Sequence, residues 1–281
     1  MAVAETAVSQ GKSASGESSG SSAAGLGKVV FNLTIGASLV LLCGLLSLTV
    51  DAQIIADRTA PGNQQATVLQ TASGLPQVNI QTPSSAGVSR NTYSQFDVSS
   101  KGAILNNSRT DTSTQIGGLV QGNPWLATGS ARVILNEVNS SNASQLNGYI
   151  EVAGQRAEVI VANPAGIAVN GGGFLNASAV TLTTGTAVMN AGSLDSFRVR
   201  GGSVFVDGAG LDTNTADYTN ILARAAQINA GIWAKDLKVV TGGCSQVEIL
   251  TPSAPKDANQ NNGNLIRYEG GKRVDNSTLD R

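Results

Sequence analysis

The sequence predicts an all-β fold of the stacked, solenoid kind. Three observations carry that reading. The run Val159-Ile-Val-Ala-Asn163-Pro164-Ala165-Gly166-Ile167, then Val169-Asn170-Gly-Gly-Gly173-Phe174 and Val180-Thr-Leu-Thr-Thr-Gly185, is a series of very short apolar strands broken by turn residues. Strands this short need neighbours above and below to bury them. Asparagines recur just after strands, at Asn106, Asn107, Asn136, Asn163 and Asn229. There they can take left-handed corners or bond neighbouring rungs. Strands also arrive in triplets, as in the stretch from Ala226 to Thr241, enough for one triangular coil.

Residues 1–27 are rich in Ser, Gly and Ala and carry too little apolar surface to offset the entropy of ordering. Lys28 then precedes an apolar run, Val29 to Val50. Val50-Asp51-Ala52 places small residues before a cut between Ala52 and Gln53. Residues 1–52 are therefore read as an extended signal peptide. An uncleaved anchor is the alternative, since the run approaches the roughly 20 residues that cross a bilayer. Leu42 is bulky where lipoprotein processing at Cys43 wants a small residue.

From Gln53 the texture changes to apolar triplets and quartets. They include Val78-Asn-Ile80, Ala103-Ile-Leu105, Arg132-Val-Ile-Leu135, Tyr149-Ile-Glu-Val152, Val204-Phe-Val206 and Leu237-Lys-Val-Val240. Turn pairs fall at Asn147-Gly148, Asn170-Gly171 and Asp207-Gly208. Spacing of about ten residues also suits a sandwich or barrel; the asparagines and the triplets favour a solenoid. Thr219 to Ala226 reads as a helical turn or as a strand approach, and is kept inside the solenoid. After Gly242 the chain turns polar and aperiodic, so 243–281 is expected to be loop or disordered, without a cap for an open coil end.

Composition excludes several chemistries. The 281 residues contain no histidine, which removes Ser-His-Asp, Cys-His and His-zinc sites. Aromatics are 4%, charged residues 13% and net charge −1, so nothing points to nucleic acid as a partner. Removing the leader leaves Cys244 as a lone cysteine, unable to form an internal disulfide. A β-helical lyase or hydrolase would need clustered carboxylates in a groove. Here Asp97, Asp111, Glu137, Glu151, Glu158, Asp195, Asp207 and Asp212 are scattered along the chain. No enzyme activity and no cofactor are expected. Tyr93, Phe96 and Trp125 are read as core or cap-packing residues, and Arg90 and Asp97 as a surface pair of little energetic worth.

Several motifs in one order resemble a known family. They are Gly87-Val-Ser-Arg90-Asn-Thr-Tyr93-Ser-Gln-Phe96-Asp97-Val98, Gly102-Ala-Ile-Leu-Asn-Asn107, Gly122-Asn123-Pro124-Trp125-Leu126, Ile134-Leu-Asn136-Glu-Val138 and Asn163-Pro-Ala-Gly-Ile167. From about Gln53 to Gly242 the chain resembles the N-terminal two-partner secretion (TPS) domain of filamentous haemagglutinins, of haemolysins of that pathway and of contact-dependent growth inhibition exoproteins. The resemblance implies a right-handed parallel β-helix with an N-terminal β cap. It implies export by the general secretion machinery through the periplasm, and then a cognate outer-membrane transporter with periplasmic domains that reads the domain in extended form. The product would be secreted or held at the cell surface, facing a host or neighbouring cell.

The family's signatures, Asn-Pro-Asn-Leu and Asn-Pro-Asn-Gly-Ile, map onto Asn123, Pro124, Trp125 and Leu126, and onto Asn163, Pro164, Ala165, Gly166 and Ile167. Trp125 and Ala165 replace the third asparagine of each. Relatives that carry a cysteine pair have it where this chain has Val169 to Gly173. Independently of family, proline fixes φ and biases the preceding residue to an extended shape, which sets a sharp corner. Each motif is thus a corner, a transporter address, or both. Family members are usually far longer, so a truncated member lacking its effector region is expected; a stand-alone β-helical adhesin or glycan-binding fragment is the rival reading.

Overall fold

The computed structural model describes residues 53–242 and, beyond them, the backbone of strands Val247–Glu248, Leu265–Glu269 and Lys272–Val274. The signal-peptide reading with Ala52, and both cysteines, lie outside the described residues. Gln53 lies inside them, and its carbonyl accepts from the Asp97 N–H at 3.1 Å.

The described chain is a parallel β-helix of three faces. Face one stacks residues 88–93 of Val88–Phe96, then Val133–Val138, Ala157–Ala162, Ala177–Thr183, Thr219–Ala223 and Asp236–Thr241, all parallel. Face two stacks Ser144–Leu146, residues 167–170, residues 203–207 and Ala225–Ile228. Face three stacks Pro76–Asn79, Ala103–Asn107, Tyr149–Gly154, residues 173–175, residues 211–213 and Ile232–Ala234. The chain visits the faces in the order one, two, three, coil after coil. Ala225–Ile228, Ile232–Ala234 and Asp236–Thr241 are thus three successive sides, as the triplet pattern predicts. Thr219–Ala223 is a strand and not a helical turn.

Register places like above like. One inward column of face one runs Ser89, Ile134, Val159, Val180, Thr219, Leu237, and the next runs Asn91, Asn136, Val161, Leu182, Ile221, Val239. Stacked β-branched and leucine side chains fill the coil as a continuous buried core with Ile150, Val152, Ile167, Val204, Val206 and Leu211.

An open coil end would expose unpaired strand edges. At the N-terminal end Ile54–Ala56 pairs antiparallel with residues 93–96, and Thr67–Gln70 pairs antiparallel with Pro76–Asn79. This is the β cap. Tyr93 and Phe96 are buried beneath it edge to face, centroids 4.9 Å apart at 62°. At the other end Leu265–Glu269 pairs antiparallel with Asp236–Thr241, and Lys272–Val274 pairs with Leu265–Glu269. These strands fall within 243–281, the span expected to be loop or disordered, and pair through their backbone; Arg267, Glu269, Lys272 and Arg273 give them a charged sequence with no strand signal.

Two hairpins leave the coil and cover apolar patches on its outside. Gly185–Asn190 and Ser193–Val199 pair antiparallel and lay Phe197 and Val199 over Val88, Leu135, Ile160, Ala162, Leu222 and Val240. Thr112–Thr114 and Gly118–Val120 form a second hairpin, which brings Val120 and Ile116 over Ile104 and Ala153. Glu151, buried under it, accepts from the N–H groups of Gln115 (2.7 Å) and Ile116 (2.9 Å), which satisfies its carboxylate without a cation.

Candidate functional site

The two asparagine–proline motifs fold by one device used on different edges of the coil. Asn123 sits where face three passes to face one. Its extended backbone, φ −78° and ψ 115°, leads into a single 3-10 turn, Pro124–Leu126. Proline suits that position because the first turn needs no N–H donor there. The Asn123 Oδ1 accepts from the Trp125 N–H at 3.0 Å, and its Nδ2 donates to the carbonyls of Ile80 (2.9 Å) and Asn106 (3.0 Å). One side chain thus closes the turn and ties it to two other segments.

Asn163 sits where face one passes to face two. Its Oδ1 accepts from the Ala165 N–H at 2.9 Å, and its Nδ2 donates to the Asn142 carbonyl (2.9 Å) and the Ser144 Oγ (3.0 Å). Its own carbonyl accepts from the Gly166 N–H at 3.0 Å. Gly166 takes φ +124°, a conformation side-chain-bearing residues rarely adopt, and its carbonyl accepts from the Ser144 N–H at 3.0 Å. Ile167 then enters the core.

Both asparagine side chains are buried, with relative exposures of 3% at Asn123 and 0% at Asn163. Leu126 is buried as well, while Pro124 and Pro164 are exposed and Ala165 half-buried. Trp125 is 44% exposed, so of its two readings, core or cap packing, the core one does not hold. It does meet the cap: its indole Nε1 donates to the Thr67 Oγ1 at 3.1 Å, and its carbonyl accepts from the Thr82 hydroxyl at 2.7 Å. Both third positions, Trp125 and Ala165, contribute a backbone N–H to the corner, so loss of the family's asparagine there leaves the turn intact. None of the nine motif residues is ionisable, and the corners carry no charge of their own.

The other recurrent asparagines bond between rungs rather than taking left-handed conformations. Asn107 Nδ2 donates to the carbonyls of Ala131 (2.9 Å) and Gln155 (2.8 Å), and Asn106 Nδ2 to Asn79 Oδ1 (2.8 Å). Asn229 Nδ2 donates to Asp207 Oδ1 at 2.6 Å. Among the described residues, Asn176 and Ala191 are the non-glycines with positive φ. The sequence missed the partners Ser144 and Asn142, which lie about twenty positions from Asn163 along the chain but one rung away in space.

Two charged expectations also move. Arg90 pairs with Glu137 of the next rung, not with Asp97. Asp97 is buried and accepts from the Gln145 N–H (2.8 Å) and the Gln95 Nε2 (2.6 Å), which pins the strand end to the second coil. Among the described residues, no group of three or more Asp, Glu, Cys or His side chains converges as a metal site would.

Comparison with known proteins agrees with this architecture. The profile of the TPS secretion domain family matches residues 52–280, past the boundary expected at Gly242. The toxin CdiA of Yersinia pestis is 53% identical over 242 residues, which are 86% of this chain. The tRNA nuclease CdiA-2 of Burkholderia pseudomallei is 46% identical over 222 residues, 78% of this chain. The chain spans 7% of the length of each of these two relatives. The crystal structure of the filamentous hemagglutinin secretion domain superposes with a TM-score of 0.62 at 31% identity, covering 79% of this chain and 67% of that one. Two buried asparagine corners on an N-capped parallel coil, with a family profile running from residue 52 to residue 280, place this chain in the TPS secretion domain family.

Proposed function

We propose that this chain is the export domain of a two-partner secretion exoprotein, read by an outer-membrane transporter with periplasmic domains while it is still extended. One observation carries the extended part of that reading. In the folded coil Asn123 and Asn163 have both ends of their amides engaged and are shut from solvent. A partner that recognises those amides meets them before the coil forms. Folding then turns the same residues into corners, and the coil's burial opposes backward slippage.

In this reading residues 1–52 are an extended signal peptide cut between Ala52 and Gln53, and the body beginning at Gln53 is the address. The general secretion machinery delivers the chain to the periplasm, and the folded product is secreted or displayed at the cell surface towards host or neighbouring cells. The domain itself performs no catalysis.

The test is secretion of the chain in cells with and without the transporter encoded beside its gene. Asn123→Ala and Asn163→Ala are compared with Pro164→Ala, whose exposed ring bonds no other segment. The expected result is transporter-dependent release that falls at least tenfold for the asparagine variants. Refolding of each purified variant, followed by circular dichroism, separates lost recognition from lost folding. Release that is independent of the transporter sinks the reading and favours a stand-alone β-helical adhesin.

A further inference from the structure

On the outside of face three, away from both asparagine corners, register aligns Tyr149, Gly173, Asp212 and Trp233 on successive rungs. The Tyr149 ring lies across Gly173, where any Cβ would collide with it. Its hydroxyl thereby reaches past that rung and donates to Asp212 Oδ2 at 2.9 Å. Asp212 Oδ1 accepts from the Asn214 N–H at 3.1 Å. Each carboxylate oxygen retains a second lone-pair direction for an outside donor. Trp233 is 54% exposed, more so than Trp125, the other exposed indole of the described surface. Its indole rests on two more glycines: a Cβ at Gly210 would stand 3.0 Å from Cζ3, and one at Gly231 would stand 3.2 Å from Cη2. The glycines therefore let both rings lie against the coil.

We propose that this row is a binding strip for a neutral, extended oligosaccharide. A pyranose ring has one face of C–H groups and a rim of hydroxyls. The exposed indole of Trp233 offers a flat apolar platform for the first, and the Asp212 carboxylate, oriented by Tyr149, accepts from the second. Three rung steps make the strip about 14 Å long, the scale of a short sugar chain. Because the Tyr149 hydroxyl donates to Asp212, its pKa is raised, and the phenol stays a donor through the neutral range. The charge of Asp212 disfavours an acidic group on the sugar at that rung. A quaternary ammonium ligand would need rings converging on one point, whereas these lie in an open row. No step depends on the transporter, so this strip stands or falls apart from the export reading.

The test is calorimetric titration of the folded chain with chitohexaose and cellohexaose, flat β-linked chains, with curved maltohexaose and choline chloride as comparisons. Binding of at least one β-linked chain is expected, changing little between low and high salt. Trp233→Ala should weaken it at least tenfold, and Asp212→Ala and Tyr149→Phe severalfold. Leu119→Ala, which removes an exposed leucine elsewhere, should leave it unchanged. Circular dichroism checks that each variant keeps its fold. The proposal is overturned if neither β-linked chain binds, if choline alone binds, or if Trp233→Ala binds as well as the parent.

Discussion

The interior of face one is built differently at its two ends. One and the same column is asparagine in the first two rungs, Asn91 and Asn136, and apolar in the next four, Val161, Leu182, Ile221 and Val239. All six are buried. Under the cap the polar pair is fully engaged. Asn91 Oδ1 accepts from the Gln81 N–H at 2.9 Å, and its Nδ2 donates to the Ser89 Oγ at 3.1 Å. Asn136 Oδ1 accepts from the buried Tyr93 hydroxyl at 3.0 Å, and its Nδ2 donates to the Ile160 carbonyl at 3.1 Å. Further along, nothing polar stands in that column.

The difference teaches what each end does. Apolar rungs stack in any register that keeps their period, because dispersion and burial have no direction. A buried amide is satisfied in one arrangement alone, and an unsatisfied one costs several times what a good bond contributes. The asparagine rungs thus define where the coil starts, and the apolar rungs extend it.

Exchanging the two kinds of rung gives the sharpest break. Val161→Asn places an amide where no partner waits, and should cost about 3 kcal/mol or more in urea unfolding. Asn136→Val, which copies the rung beneath it, should cost about 2 kcal/mol, because the Tyr93 hydroxyl is left buried without an acceptor. Adding Tyr93→Phe should restore part of that loss; a double-mutant cycle with no coupling would mean that the pair does not hold the register. Trp125→Ala, which frees the cap from the first corner, should lower stability by about 1 kcal/mol and leave the other corner's hydrogen-exchange protection intact.

The smallest effect is one of pH. Glu158, outward on the third rung, is pushed up by burial, against the opposing pull of the Thr181 and Tyr218 hydroxyls. A raised carboxyl contributes stability below its unfolded pKa and loses it as pH rises through the folded value. Asp57, beside the cap, is held down by the Thr59 hydroxyl and N–H, and its contribution is lost as pH falls instead. Glu158→Gln should therefore gain on the parent, by under about 1 kcal/mol, as pH rises from 4 to 7. Asp57→Asn should lose its disadvantage on acidification. Parallel pH curves for parent and Glu158→Gln would show that Glu158 is not strained.

Much of this was legible in residue order. The β-branched runs at Glu158 to Val161 and Val204 to Val206 marked strands, and the asparagine–proline pairs marked corners, because both signals are local and repeat with the coil. The hairpins at residues 112–120 and 185–199 were not legible. Their alternation resembles any other strand pair, and the patches they cover, such as Leu135 with Ile160 and Leu222, assemble from three separate rungs. The terminal hairpin was masked by its charge.

Residue order by itself determined that short strands would stack into a coil, that Asn123 and Asn163 would stand at turns, and that no histidine chemistry would operate. Tertiary structure alone decided which atoms those asparagines hold, that Trp125 faces solvent while Asp97 is buried, and that Tyr149, Asp212 and Trp233 line up. The reason is physical. Turn and strand preferences are set within a few residues, whereas hydrogen-bond partners and outer rows are set by rung register, which joins residues twenty to sixty positions apart.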